Sequence, residues 1–349
     1  MNGNFSRRRF LASTTAVGAA GLVGLPLGAR ANQGEVVVAN WGGSWNDRTV
    51  QFIEAPLVEA AGIKVVRDLT AAANRKTKLL AEMRLPRASI DVAHQSETDA
   101  YFLNTQKVWD TVDEARIPNL KNVHDNLKTT YFVPWQYSGW VVLYNPARVS
   151  DAPKSFADLW NPKYAGKVGM TDVHYAWHYQ AAALAGGAEP LDTARAQKML
   201  LDLKKAVQPR IYPSHEQLQV ALKTEEVWLG FNFRARVLQF AHDGVNVQPV
   251  YPKEGGIAVV FGACMTKRAR NKDNARFYLN ALLDPNGMAG LVQASFYAPA
   301  VRNAPLPPDL KAKLEFSDGE QKRLHFPDLG KVGVLDAGML DWWNKVFKA

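Results

Sequence analysis

Two histidines stand four residues apart in His174-Tyr175-Ala176-Trp177-His178. On a helix that spacing puts both rings on one face, where they can hold a metal ion. No glutamate stands beside the first histidine, as the H-E-x-x-H pattern requires, and the plainer reading is that His174 or Trp177 faces a ligand. Ser214-His215-Glu216 offers a nucleophile next to a base. Ser214 and Gln217 also have the form of a capping box at a helix start, which explains the serine without catalysis. The chain has no G-x-S-x-G elbow, no G-x-x-x-x-G-K-[ST] phosphate loop and no G-x-G-x-x-G fingerprint. Residues suited to binding stand out more. Asn40-Trp41-Gly42-Gly43-Ser44-Trp45 sets two flat indole rings beside a bare glycine turn. Ser44 and Asp47 are spaced as a capping box, and the free amides of a helix start attract anionic or polar groups. Arg234 follows Phe233 at a strand end, and its guanidinium fork suits a carboxylate or phosphonate.

These residues need a frame. Val36-Asn40, Ile63-Val66 and Ile90-Ala93 read as buried strands, separated by helical segments from Ser44 and around Ala73 to Met83. That alternation predicts a parallel sheet with helices on both faces, whose ligands bind beyond the carboxyl ends of the strands. The Trp41 turn and the Ser96 turn both lie at such ends. Residues 132–145 form a long aromatic run, read as two strands bent near Ser138-Gly139 or as one crossing between lobes. Residues 257–265 form a second long run. Between them lies a complete α/β unit, so the pair predicts an inserted lobe joined by two hinge strands. Residues 304–329 are proline-rich and charged, and read as a surface traverse. A final helix spans Gly333 to Phe347, with Trp342-Trp343 expected to bury one ring and expose the other.

The ends and the composition bound the setting. Ser6-Arg7-Arg8-Arg9-Phe10-Leu11, a short apolar stretch and Ala29-Arg30-Ala31 have the order of a twin-arginine export signal with an A-x-A cleavage site. Cleavage after Ala31 leaves 318 of 349 residues, enough for two lobes. The segment removes four arginines and no acid, so the formal charge of +9 falls to +5. The remaining basic residues are scattered, without the stripe a nucleic-acid binder uses. Cys264, the single cysteine, excludes an internal disulfide and a thiolate metal cluster, and reads as a small core residue.

Three blocks then resemble one family. Asn40-Trp41 after the first strand, Asp158-Leu159-Trp160-Asn161-Pro162-Lys163-Tyr164-Ala165-Gly166-Lys167, and Tyr251-Pro252-Lys253-Glu254-Gly255-Gly256 are similar to the spermidine/putrescine-binding branch of the periplasmic solute-binding proteins of ABC importers. The layout from Glu226 to Gly256 fits, as do Asn271-Lys272-Asp273-Asn274-Ala275 and Phe296-Tyr297-Ala298-Pro299. The resemblance implies an α/β, two-lobed periplasmic-binding-protein fold of type II-like form. It also implies two hinge crossings, a ligand cleft between the lobes, and delivery of the solute to a membrane permease driven by an ATPase. Trp41 matches a stacking position, Ser96 a polar one and Phe233 an aromatic one. The carboxylates with which the branch holds polyamines fall at Val173 and Ala176, and its hinge Trp and Asp fall at Val259 and Phe261. A dication buried without counter-charges is costly. Ferric-binding relatives use clustered tyrosines, and Tyr137, Tyr175, Tyr179 and Tyr297 include no adjacent pair.

The expectation is therefore a monomeric periplasmic receptor for a small polar solute, an organic anion or zwitterion, with no cofactor, metal, nucleic acid or catalysis. Trp41, Trp45 and Phe233 stack on the solute; Ser44, Ser96 and Asp172 hydrogen-bond to it; His174 faces it; Arg234 pairs its anionic group. Lobe 1 is expected over 32–138 and 258–303, and lobe 2 over 139–257 and 304–349. Polyamine uptake and an exported metal-dependent enzyme are the alternatives.

Overall fold

A computed structural model describes residues 34–349. The export signal and its cleavage site lie outside the described residues. Strand β1 (Gly34–Asn40) buries its last three residues and ends in the Trp41 turn. Helix α1 (Ser44–Thr49) continues as a wider π-type stretch, Val50–Glu59, that accommodates Pro56. Strand β2 (Ile63–Leu69), helix α2 (Ala72–Glu82), strand β3 (Val92–Ser96) and helix α3 (Glu97–Thr105) follow. Both β2 and β3 run parallel to β1, as the alternation predicts.

The long aromatic run is one strand, β4 (Val133–Tyr144), buried at every position. Its irregularity is a bulge between Pro134 and Gln136, with no break at Ser138-Gly139. Next come β5 (Val168–Thr171), α4 (Tyr175–Ala185), α5 (Thr193–Val207), β6 (Arg210–Tyr212), α6 (His215–Lys223), β7 (Leu229–Phe233), α7 (Arg234–His242) and β8 (Gln248–Val250). The second long run is β9 (Ile257–Met265), followed by α8 (Lys272–Ala281), α9 (Pro285–Ser295) and β10 (Ala298–Pro299). The chain ends through α10 (Pro308–Leu314), α11 (Asp318–Gln321) and α12 (Leu329–Trp342).

The strands form a single sheet in the order β2-β1-β3-β9-β4-β7-β5-β6, with β8 and β10 also pairing to β4. The central pair β9 and β4 is antiparallel to each other and to its outer neighbours. Each outer half is parallel within itself. Two large hydrophobic clusters match the halves. One gathers β1, β3, α8 and α9; the other gathers β5, α4, α5 and β7. The segment expected as a surface traverse is anchored: Leu314, Phe316 and Leu324 are buried in the first cluster. Met339, Trp343 and Phe347 join the second. The last 46 residues expected to belong with lobe 2 are thus divided between both cores. Trp343 is buried and Trp342 half-buried. Cys264 is buried.

Two local features hold the β1–β3–β9 region. Gly262 in β9 lies so close to Phe132 and the Val133 carbonyl that an added Cβ would fall 2.4 Å from the Phe132 ring. Asp91, 1% exposed, precedes β3 and accepts four hydrogen bonds. They come from Val37 N–H at 3.0 Å, Arg270 N–H at 2.7 Å, and the Asn271 backbone and side-chain amides at 3.1 Å each. Replacing Asp91 by Ala strands those donors in the interior. The expected loss of unfolding free energy in urea is about 4 kcal/mol, at about 1 kcal/mol per stranded donor; a loss below about 1 kcal/mol contradicts this role.

Candidate functional site

The carboxyl end of β1 delivers the chain to the Trp41 turn. Asn40 Oδ1 accepts the Trp41 N–H at 2.8 Å, and Gly43 turns the backbone at φ +63, a conformation that favours glycine. The N-cap position is Gly43, with no side-chain cap. The expected Ser44–Asp47 box does not form, because Ser44 is already the first helical residue and is exposed. Trp41 meets Trp45 edge-on at 5.2 Å and Phe261 at 5.9 Å. Trp45 meets Phe261 at 5.0 Å, Trp135 at 5.4 Å and Tyr297 at 5.7 Å. These edge-to-face contacts suit the ring quadrupoles and fix the wall without filling it.

A second aromatic group gathers at the carboxyl ends of β5 and β7. Phe233 lies 4.9 Å from Trp140, 5.1 Å from His174 and 5.5 Å from Trp177, between ring centroids. His174 lies 4.5 Å from His215, the first residue of α6. Phe261 is the one position of β9 that is not fully buried. It contacts the Trp41–Trp45 group and also packs on the rim of the second cluster. It forms the floor between the two aromatic groups.

The expected polar residues divide. Ser96 caps α3 by accepting Asp99 N–H at 3.2 Å. Asp172 accepts from Trp343 Nε1 at 2.7 Å and Lys348 Nζ at 2.9 Å. Although burial alone would raise it, those bonds hold its carboxyl below the usual range, so it serves the C-terminal segment. His174 Nδ1 bonds Thr171 Oγ1 at 3.0 Å, and His178 Nε2 donates to the Thr171 carbonyl at 3.1 Å while its ring stacks on Trp343 at 5.5 Å. The two imidazoles are oriented by Thr171 and do not converge on one point. Among the described residues no group of three or more His, Cys, Asp or Glu is placed to hold a metal ion.

Arg234 is the clearest departure from expectation. Its fork donates to the carbonyls of Glu315 at 3.0 Å, Lys313 at 3.0 Å and Ala312 at 3.5 Å. Its guanidinium covers the Phe316 ring at 4.9 Å, with Glu320 at 3.8 Å. It satisfies the C-terminal carbonyls of α10, the place a helix favours a cation. As the first residue of α7 it leaves the strand on the side of the 308–321 segment.

Three other arginines sit at the aromatic groups, and none forms an ion pair among the described residues. Arg75 is fully buried, with its guanidinium 4.9 Å from the Trp41 ring centroid. Arg236, two residues beyond Arg234, bonds Gln239 Oε1 at 2.9 Å and leaves Nε without a partner. Arg48 lines a small cavity with Trp45, Trp135, Gln136, Leu291 and Ser295. Burial lowers the Arg48 pKa, and the positive charge of Arg236 lowers it further. In sequence, Arg236 was hidden by its neighbour, since residues two apart on a helix face different ways. Arg75 carried a signal: a cation in the first turn of a helix opposes the dipole and needs another reason to be there. Burial pushes the Glu97 carboxyl up to about 8, against one bond from Val260 N–H at 3.3 Å. The sequence reading also passed over Trp140, His215, Phe261 and Tyr297 as site residues; the tertiary fold brings Phe261 and Tyr297 to Trp45, and Trp140 and His215 to Phe233.

The model of the bacterial extracellular solute-binding proteins matches residues 54–317, about three quarters of the chain. The spermidine/putrescine-binding periplasmic protein of Escherichia coli K12 is 24% identical over 192 residues, 50% of this chain and 53% of that protein. The chain thus spans about half the length of the curated relatives it matches. An ABC transporter substrate-binding protein from Bradyrhizobium japonicum USDA 110 superposes with TM-score 0.79 at 22% identity, covering 90% of this chain and 100% of that one. AgtB from Agrobacterium tumefaciens R10, solved with agropinic acid, gives 0.71 at 18% identity, covering 91% and 100%. These likenesses establish the two-lobed periplasmic-binding-protein fold. The two halves of the sheet, joined by β4 and β9, correspond to its two lobes.

The site's titratable groups predict two pH effects of opposite sign. Burial pushes His94, His178 and His215 down to about 3, with neighbouring positive charge adding to the effect. The unfolded chain takes up protons near pH 6.5 that the fold refuses, so their stabilising contribution is complete above about 6.5 and falls as pH drops toward 3. Denaturant unfolding from pH 6.5 to 4 therefore steepens with acid, and His178→Gln removes about 1.4 kcal/mol per pH unit from that slope; an unchanged slope contradicts the neutral buried histidine. For Glu97 the raised pKa makes ionisation costly as pH rises from 4.5 to about 8. Glu97→Gln gains stability relative to the parent across that window, and a gain confined to low pH contradicts the assignment.

Proposed function

The chain belongs to the bacterial extracellular solute-binding protein family, and on that premise we propose that it is the periplasmic receptor of an ABC importer, capturing a small organic anion or zwitterion. The twin-arginine segment exports it folded, with cleavage after about Ala31. It acts as a monomer without metal or cofactor, and it performs no catalysis. Solute enters between the lobes, the lobes close over it, and the closed form is what the inner-membrane permease and its ATPase recognise. A solute that contacts both lobes favours closure because it binds the closed state better than the open one.

One observation carries the ligand class: Arg48, Arg75 and Arg236 stand beside the aromatic side chains, and none has a carboxylate partner among the described residues. A polyamine brought among three unpaired guanidinium groups meets like charge in a site of low dielectric. A carboxylate or phosphonate meets fork donors suited to bidentate bonding. Trp41, Trp45, Phe261 and Phe233 supply stacking surface, and His174, with Ser44 on the uncapped start of α1, adds polar contact at the edge. Ser96, Asp172 and Arg234 are bound up in the scaffold, and the reading does without them.

The alternative, polyamine uptake, draws on the naming of the Escherichia coli relative and on Glu97, an enclosed carboxyl beside Phe261's strand that a bound ammonium group could ionise. A thermal-shift screen decides between them. Organic acids, amino-acid conjugates or phosphonates should raise the Tm, while spermidine and putrescine leave it unchanged. Stabilisation by polyamines alone overturns the anion reading. With a hit in hand, Arg236→Met should weaken binding about 30-fold or more, whereas Arg234→Ala lowers stability but keeps the affinity. Loss of affinity in the Arg234 variant, with folding intact, would return that residue to the site.

A further inference from the structure

Arg75 is the least explained charge in the molecule. It is 0% exposed, yet only Nη1 has a partner, the Thr70 carbonyl at 3.0 Å. Its Nε and Nη2 are buried without any. Burial pulls its pKa down to about 10, and the acids that act against this, Asp99 and Asp68, are engaged elsewhere. Lys76 holds Asp99 at 2.8 Å and Lys78 holds Asp68 at 2.6 Å. The cation–π contact with Trp41 offsets part of the burial cost, but supplies no acceptor for the two free nitrogens.

The surroundings are short of negative charge and rich in donors. The Thr70 hydroxyl is buried without a partner. Helix α2 begins after Ala71 with no side-chain cap, so its first amides and the positive end of its dipole face the same corner. Asn40 Nδ2, at the foot of the Trp41 turn, is a further buried donor without an acceptor. Trp41 itself is only half-buried. A guanidinium fork, a hydroxyl and an amide are thus left without acceptors near an uncapped helix start, with Asn40 opposite Leu69 in the β1–β2 register.

Building on the receptor reading above, we propose that Arg75, with Thr70 and the start of α2, receives the anionic group of the solute, a carboxylate or phosphonate, while Trp41 backs the guanidinium. Arg75 then anchors one end of the solute in lobe 1, and the remaining cleft reads the rest of the molecule.

The test uses minimal probes that need little more than this corner: acetate, methylphosphonate and inorganic phosphate, each against chloride at equal ionic strength. Wild-type protein, refolded to strip bound solute, should gain Tm with at least one probe. Arg75→Met should abolish that gain, weaken binding of any larger anion found in the screen about 100-fold or more, and melt at or above the probe-free wild type, since it removes an unpaired buried charge. A merely structural arginine predicts the reverse, a lower probe-free Tm with the probe response kept. Arg75→Lys covers the case where the methionine variant does not fold: weaker probe binding supports the proposal, and wild-type binding overturns it. No probe response in the wild type also overturns it. If larger anions still bind the wild type and Arg75→Met equally, the anchor is wrong and the receptor reading stands. If only polyamines bind, that ligand reading fails with it.

Discussion

The antiparallel pairing of β4 with β9 is the constraint on which the rest depends. It runs from Val133 opposite Ala263 to Trp140 opposite Ile257, and it joins two parallel half-sheets that otherwise have separate cores. Such a pair must be stiff enough to hold register and must leave the halves free to rotate about it. Burial of all of β4 provides the first, and among the described residues no other strand crosses between the halves. Gly262 shows how little room remains there. The same pair presents Phe261 to the Trp41–Trp45 group, so the element that links the lobes also carries part of the aromatic cluster.

Much of this was legible in the sequence because strong local patterns and tertiary need agreed. The β-α-β-α-β opening, the two long runs and the buried Cys264 follow from apolar spacing alone. What failed were decisions that depend on direction. Arg234 sits where a strand-end arginine can face a ligand, yet the first turn of α7 sends it to the carbonyls of α10. Ser44 had the spacing of a cap, but the glycine before it took the cap position. Residues 304–329 read as a traverse because proline and charge mask Leu314, Phe316 and Leu324, three anchors too widely spaced to show a period. The ends of strands were legible; which side chains turn inward from them was not.

Electrostatics gives the cleft its character. The acids near it are tied to scaffold partners, as Asp172 is to Lys348, or held protonated by burial, as Glu97 is near neutral pH. Arg48, Arg75 and Arg236, unlike Arg234, form no ion pair among the described residues. A fold shared with proteins named for polyamines and with one solved holding agropinic acid does not choose the solute. The proposed choice rests on three arginines, Arg48, Arg75 and Arg236, that have no carboxylate partner among the described residues.

The most direct measurement is a calorimetric titration of solute-free protein with 4-aminobutyrate and, separately, putrescine. The two share a four-carbon chain and one ammonium group, and differ only in whether the other end is a carboxylate or a second ammonium. The account predicts heat and saturable binding, or at least competition with a screened anion, for 4-aminobutyrate and none for putrescine. Saturable binding of putrescine with no response to the carboxylate would contradict it.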